Sequence, residues 1–114
     1  MNTDRLEALL RDAVTRYARL PFDRFSSLGT EHWFEETGSP TGDRDSSYCQ
    51  IEVELLDRFV EGGVEVLHIP VIARDEFREL GADLFVYRDG RIRWDKRICE
   101  FVDGVPHAID DRAA

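Results

Sequence analysis

The sequence predicts an α+β fold, with an N-terminal amphipathic helix packed on a four- or five-stranded antiparallel meander sheet, cone-like in its most curved form. Three observations predict it. Apolar residues recur at three- and four-residue steps from Asp4 to Leu20, the period of a helix with one buried face. Apolar and polar residues then alternate from Tyr48 to Leu56, the period of a half-buried strand. Finally, Gly62-Gly63 and Asp89-Gly90 fold the stretch from Tyr48 to Trp94 into two hairpins in series.

The helix stripe is Leu6, Leu9, Leu10, Ala13, Val14, Tyr17 and Leu20. Asp4 and Glu7 have capping-box spacing, Arg16 and Arg19 suit the C-terminal dipole, and Pro21 stops the helix. Phe22, Phe25 and Leu28 continue a helix-like spacing broken by Ser26-Ser27, and Thr30 to Thr37 reads as a second short helix capped by Thr30. Residues 1–37 are thus expected to form a helical cover. The run from Gly38 to Ser47 is rich in Gly, Pro, Ser, Thr and Asp and reads as a loop, either for binding or as slack before the sheet.

Residues 48–105 carry the expected sheet and 106–114 the tail of a single domain. In the first strand Ile51, Val53 and Leu55 share one side, and Gln50, Glu52 and Glu54 the other. Val64 to Ile72 is apolar in both parities, as expected of a central strand covered on both faces or one that changes face at a bulge near Pro70. A two-residue turn at Gly62-Gly63 places Asp57 opposite His68 and Phe59 opposite Val66. Arg74 to Leu80 reads as a short helix ended by Gly81. A two-residue turn at Asp89-Gly90 sets Phe85 opposite Trp94 and Tyr87 opposite Ile92. Those four then join Ile51, Val53 and Leu55 beneath the helix, with Leu84, Val86 and three arginines on the other face. Ile98 to Val102 is an expected edge strand.

Composition bounds the function classes. The chain has 114 residues, enough for one modest core, and 42% hydrophobic content argues for a folded domain. Its 24 acids against 15 bases leave a net charge of −9, which disfavours nucleic acid and anionic membranes as partners. The polar start and the lack of a long apolar run lead us to expect a soluble, cytoplasmic protein. Cys49 and Cys99 lack paired-ligand spacing and are expected to be reduced, small buried hydrophobes.

Four constellations could carry chemistry. Arg88, Arg91 and Arg93 can form a stripe that grips a carboxylate or phosphate, unless Glu52 and Glu54 neutralise it across the sheet. Asp57 and His68 can form a half-buried acid–base pair, although a hydrogen-bonded structural histidine is the plainer reading. His32, His68 and His107 have no metal-ligand spacing, and no glycine pattern cradles a nucleotide, so no metal or cofactor is expected. The dispersed acids, Glu52 and Glu54 among them, can steer a basic protein partner or merely solvate the surface.

The order of helix, short helix and antiparallel meander resembles the general plan of cystatin-like and NTF2-like folds, in which a bent sheet wraps a long helix. That resemblance is one of architecture and implies no functional residue. The leading expectation is a non-enzymatic protein that binds another protein, in the manner of an inhibitor, immunity protein or adaptor. The alternatives are a small-molecule pocket or acid–base enzyme using Asp57 and His68, and a homodimer joined through an edge strand.

Overall fold

The apolar stripe near the N-terminus forms α1 (Asn2–Tyr17) and buries Leu6, Leu10, Ala13, Val14 and Tyr17. These come from a computed structural model that describes residues 2–29, 31–37 and 49–109. The helix ends at Tyr17 rather than Leu20. There the Arg19 and Leu20 N–H groups donate to the carbonyls of Arg16 and Tyr17, tightening the last turn, and Pro21 has no N–H with which to continue it. A 3-10 helix (Phe22–Gly29) follows and adds Phe25 and Leu28 to the same core.

Among the described residues, eight antiparallel strands make one open sheet beneath these helices. They are β1 (Trp33–Thr37), β2 (Cys49–Val53), β3 (Asp57–Glu61), β4 (Val64–Arg74), β5 (Glu79–Tyr87), β6 (Ile92–Arg93), β7 (Cys99–Val102) and β8 (Val105–Ala108). The path across the sheet is β1-β2-β4-β5-β7-β8, with β3 also on β4 and β6 also on β5. The sheet is therefore wider than expected at both margins. β8 occupies part of the expected tail, joined to β7 through Asp103-Gly104, both of positive φ.

At the other margin, the expected helix over Thr30–Thr37 is β1. Pairing with β2 sets Trp33 opposite Val53 and Glu35 opposite Ile51. Trp33 then stacks on Tyr17 and Phe25, and Glu35 receives hydrogen bonds from Arg16 and Tyr17. Long-range pairing of an aromatic segment overrides its local helical look. Thr30, the Gly38–Ser47 loop and residues 110–114 lie outside the described residues.

The Gly62-Gly63 turn behaves as read. Both glycines have positive φ, and Asp57 registers with His68 and Phe59 with Val66. Pro70 does not bulge β4. Instead its partner is interrupted: β2 pairs with Val71–Arg74, β3 with Val64–His68, and Glu54–Leu56 cross between them. The His68 carbonyl accepts from Leu56 N–H on that edge. Two residues on, Pro70 turns the same way, so its missing N–H falls at the gap where a ladder bond would be interrupted anyway.

Two local readings are corrected. No helix separates β4 from β5; Asp75 Oδ1 accepts from the N–H groups of Phe77 and Arg78, closing a tight turn between paired Arg74 and Glu79. That register sets Leu67 against Val86 and Ile69 against Leu84. All four are buried in the core under α1, so Phe85 and Tyr87 point to the opposite face. The second correction is the Asp89-Gly90 turn. Tyr87 N–H donates to Arg91 O and Gly90 N–H to Tyr87 O, making a loop of Arg88, Asp89 and Gly90. The extra residue moves the pairing by one, to Phe85 with Arg93 and Val86 with Ile92.

The helix-facing core thus contains Ile51, Val53, Leu67, Ile69, Val71, Leu80, Leu84, Val86 and Ile98. Each such side chain, fully buried, contributes roughly 1.5–3 kcal/mol relative to exposure.

Candidate functional site

The sheet face away from α1 carries the candidate site. Val66, His68, Pro70 and Ile72 of β4 point there, beside Gly81, Asp83, Phe85 and Tyr87 of β5. A groove of about 410 Å³ opens on this face, lined by Pro70, Ile72, Asp83, Asp95, Phe101 and Pro106 among others. Such a volume suits a small ligand or one long side chain.

Gly81 makes the groove possible. It pairs with Cys99, and a Cβ at Gly81 would lie 2.7 Å from Phe101 Cε2 and 3.0 Å from Ile72 Cδ1. The ring occupies the space that any larger residue would fill. Asp83 stands two residues further along the same face, so its carboxylate reaches the rim. Asp95 and Arg97 arrive from the connection between β6 and β7, which Asp95 Oδ1 tightens by accepting Arg97 N–H at 2.9 Å. Cys99 lines the floor as a free, half-buried thiol, whereas the free thiol of Cys49 is buried and pushed up in pKa by desolvation. The groove therefore combines an apolar floor with two carboxylates and one guanidinium.

His68 joins this site through an acid not foreseen from the sequence. Its Nε2 lies 2.7 Å from Asp83 Oδ1, and its ring stacks on Phe85 at a centroid distance of 4.5 Å. Asp57 is in register with His68, but its Oδ1 accepts from the backbone N–H of Arg58. The imidazole is half-buried and Asp83 is 62% exposed, so the pair sits at the groove's margin rather than in an enclosed pocket.

The three arginines do not form one cradle. Arg88 turns toward the helical side, where it pairs with Glu65 at 2.6 Å and covers the Phe22 ring. Arg91 pairs with Asp89 and lies over Tyr87. Arg93 lies over Phe85 at 4.1 Å and donates to the Tyr87 hydroxyl, which donates in turn to Glu61. Glu65 is held below the ordinary carboxylate range by Arg88 and Arg58. Glu52 and Glu54, the expected neutralisers, have other partners: Glu52 pairs with Arg74 at 3.0 Å, and Glu54 lies 2.7 Å from His32.

One signal in the sequence could have located the groove. Gly81 read as a helix cap, yet an isolated glycine in a strand marks close approach of other groups. Asp83 carried no comparable sign, because its nearness to His68 is a diagonal relation that depends on the β4–β5 register. Among the described residues no helix is long and apolar enough to cross a membrane. Compared with protein-family models, curated proteins and solved structures, the chain matches none of them.

Proposed function

We propose that this chain is a non-enzymatic binding protein that docks a basic protein partner on the sheet face left open by α1. The observation that carries this reading is the groove around Gly81, where the apolar surface of Pro70, Ile72 and Phe101 meets the carboxylates of Asp83 and Asp95. A Lys or Arg side chain of the partner suits it, with its methylene stem on the apolar floor and its charged head at the acids. The net charge of −9 adds long-range attraction for such a partner and speeds its encounter. On this reading the protein works in the cytoplasm. Glu52 and Glu54 contribute less than Asp83 and Asp95, since neither of them lines the groove.

The test compares partner capture by the wild type and by Asp83→Lys/Asp95→Lys. Loss of a basic, salt-sensitive partner from the double variant supports the reading, and equal retention removes the groove from the interface.

A second reading is favoured by Asp83 itself, which both lines the groove and holds His68. On that reading the groove takes a small cationic molecule, and the imidazole–carboxylate pair handles a proton at its margin. Native mass spectrometry of the protein purified from its source distinguishes the two. A retained small molecule that Gly81→Val abolishes supports the second reading, and a bare chain counts against it.

A further inference from the structure

Toward the β1 margin of the same sheet, three side chains converge. Glu52 and Glu54 are two residues apart on an extended segment, so both carboxylates project to one side. His32 immediately precedes β1, whose register sets Trp33 against Val53 and so brings His32 beside Glu54. His32 Nε2 lies 2.7 Å from Glu54 Oε1 and 3.9 Å from Glu52 Oε2. Donor atoms of all three residues lie within 4.8 Å of one another.

We propose that His32, Glu52 and Glu54 form a binding site for a divalent transition-type cation, with Zn2+ the best fit. Two ligands each about 2.1 Å from one zinc ion are about 3.0–3.4 Å apart. The separations of 2.7 and 3.9 Å bracket that range, so an ion enters by small side-chain rotations. An imidazole nitrogen with two carboxylates selects zinc-like ions over Mg2+ and Ca2+, which prefer all-oxygen shells.

Groups around the triad present it for this role. Arg74 donates to Glu52 Oε1 at 3.0 Å and is itself fixed by Glu79 and Gln50. That contact occupies one oxygen of Glu52 and leaves Oε2 toward His32, as an outer-shell partner orients a ligand. Phe34 stacks beside the imidazole at a centroid distance of 6.0 Å and limits its rotation. His32 is 52% exposed, so an ion has direct access, and three protein ligands leave room for water in its coordination shell. None of the three ligands lines the groove, although Glu52 is registered opposite Ile72 at its edge, and the site does not depend on the proposed partner.

Calorimetric titration of the purified full chain with Zn2+ tests the site. Wild type should bind one ion, and His32→Ala and Glu54→Gln should each weaken binding by more than about tenfold, the least that loss of even an outer-shell partner costs at many metal sites. Arg74→Gln should weaken it less. Cys99→Ser should bind as wild type, and Zn2+ should raise the melting temperature of wild type but not of His32→Ala. The proposal is overturned if no ion binds with 1:1 stoichiometry, if binding persists in both ligand variants, or if Cys99→Ser abolishes it.

Discussion

His68 Nε2 lies 2.7 Å from Asp83 Oδ1, although the residues registered opposite His68 are Asp57 on β3 and Phe85 on β5. Strand register brings backbones together, and the diagonal neighbour still wins the imidazole. Asp83→Asn should therefore change the His68 ring nitrogen resonances in NMR spectra, whereas Asp57→Asn should leave them in place. Because Asp83 is 62% exposed, the stability cost should stay within about 1 kcal/mol.

Gly81 is small because Phe101 occupies the space above it. Gly81→Val should force that ring aside and destabilise the fold by about 1–3 kcal/mol, read from the urea midpoint. The same side chain should fill the groove and weaken partner binding. Full partner affinity in a folded Gly81→Val protein would place the interface elsewhere.

The junction of α1 with β1 should make stability sensitive to acid. Arg16 donates to both oxygens of Glu35, and with help from Tyr17 it holds that carboxyl below the ordinary range. Burial, then the hydrogen bond to Glu35, raises the Tyr17 phenol. A carboxyl depressed in the folded state stabilises fully above its unfolded pKa of about 4.3. That contribution is lost as pH falls through the lower folded value. Urea midpoints should thus fall more steeply from about pH 5 to pH 3 in wild type than in Glu35→Gln. Equal slopes would show that the pair adds nothing to folding.

Leu10 is fully buried beneath α1, whereas Phe77 is 78% exposed in the β4–β5 turn. Leu10→Ala should cost about 2–5 kcal/mol through lost burial and a residual cavity. Phe77→Ser should change stability by no more than about 0.5 kcal/mol. Denaturant titration of the two variants checks whether the core sits where the strand register puts it.

The legible parts of this fold were those with strong local periodicity. The α1 stripe, the alternation through Ile51 and Val53, and the paired glycines at 62 and 63 each have one physical reading, and the structure follows it. Segments whose state depends on distant partners were not legible. Trp33–Thr37 is a strand because β2 is there to pair with it. Arg74–Leu80 lacked a helix because Asp75 captured two backbone N–H groups and closed a turn. At Asp89-Gly90 one additional loop residue moved every cross-strand neighbour.

The same logic governs the sites. The β3–β4 register was readable from the turn, so Asp57 and His68 do lie opposite each other. The choice of Asp83 over Asp57 was not, because it needs the β4–β5 register and side-chain rotamers. Arg88, Arg91 and Arg93 looked like one stripe from their spacing, but Arg88 shares the parity of Leu84 and Val86 on the helical side, and the three-residue loop sets Arg93 against Phe85 on the open face. His32 is about twenty residues before Glu52 and Glu54, and only the β1–β2 pairing brings them together.

The most direct measurement for the docking claim is capture from lysate of the source organism at low and moderate salt, read by mass spectrometry. Wild type, Asp83→Lys/Asp95→Lys and, as a surface-charge control, Glu76→Lys would be run side by side. A basic protein that weakens with salt, is lost from the groove variant and is kept by Glu76→Lys is the predicted result. A partner kept equally by wild type and the groove variant, or no basic partner even at low salt, would contradict the account.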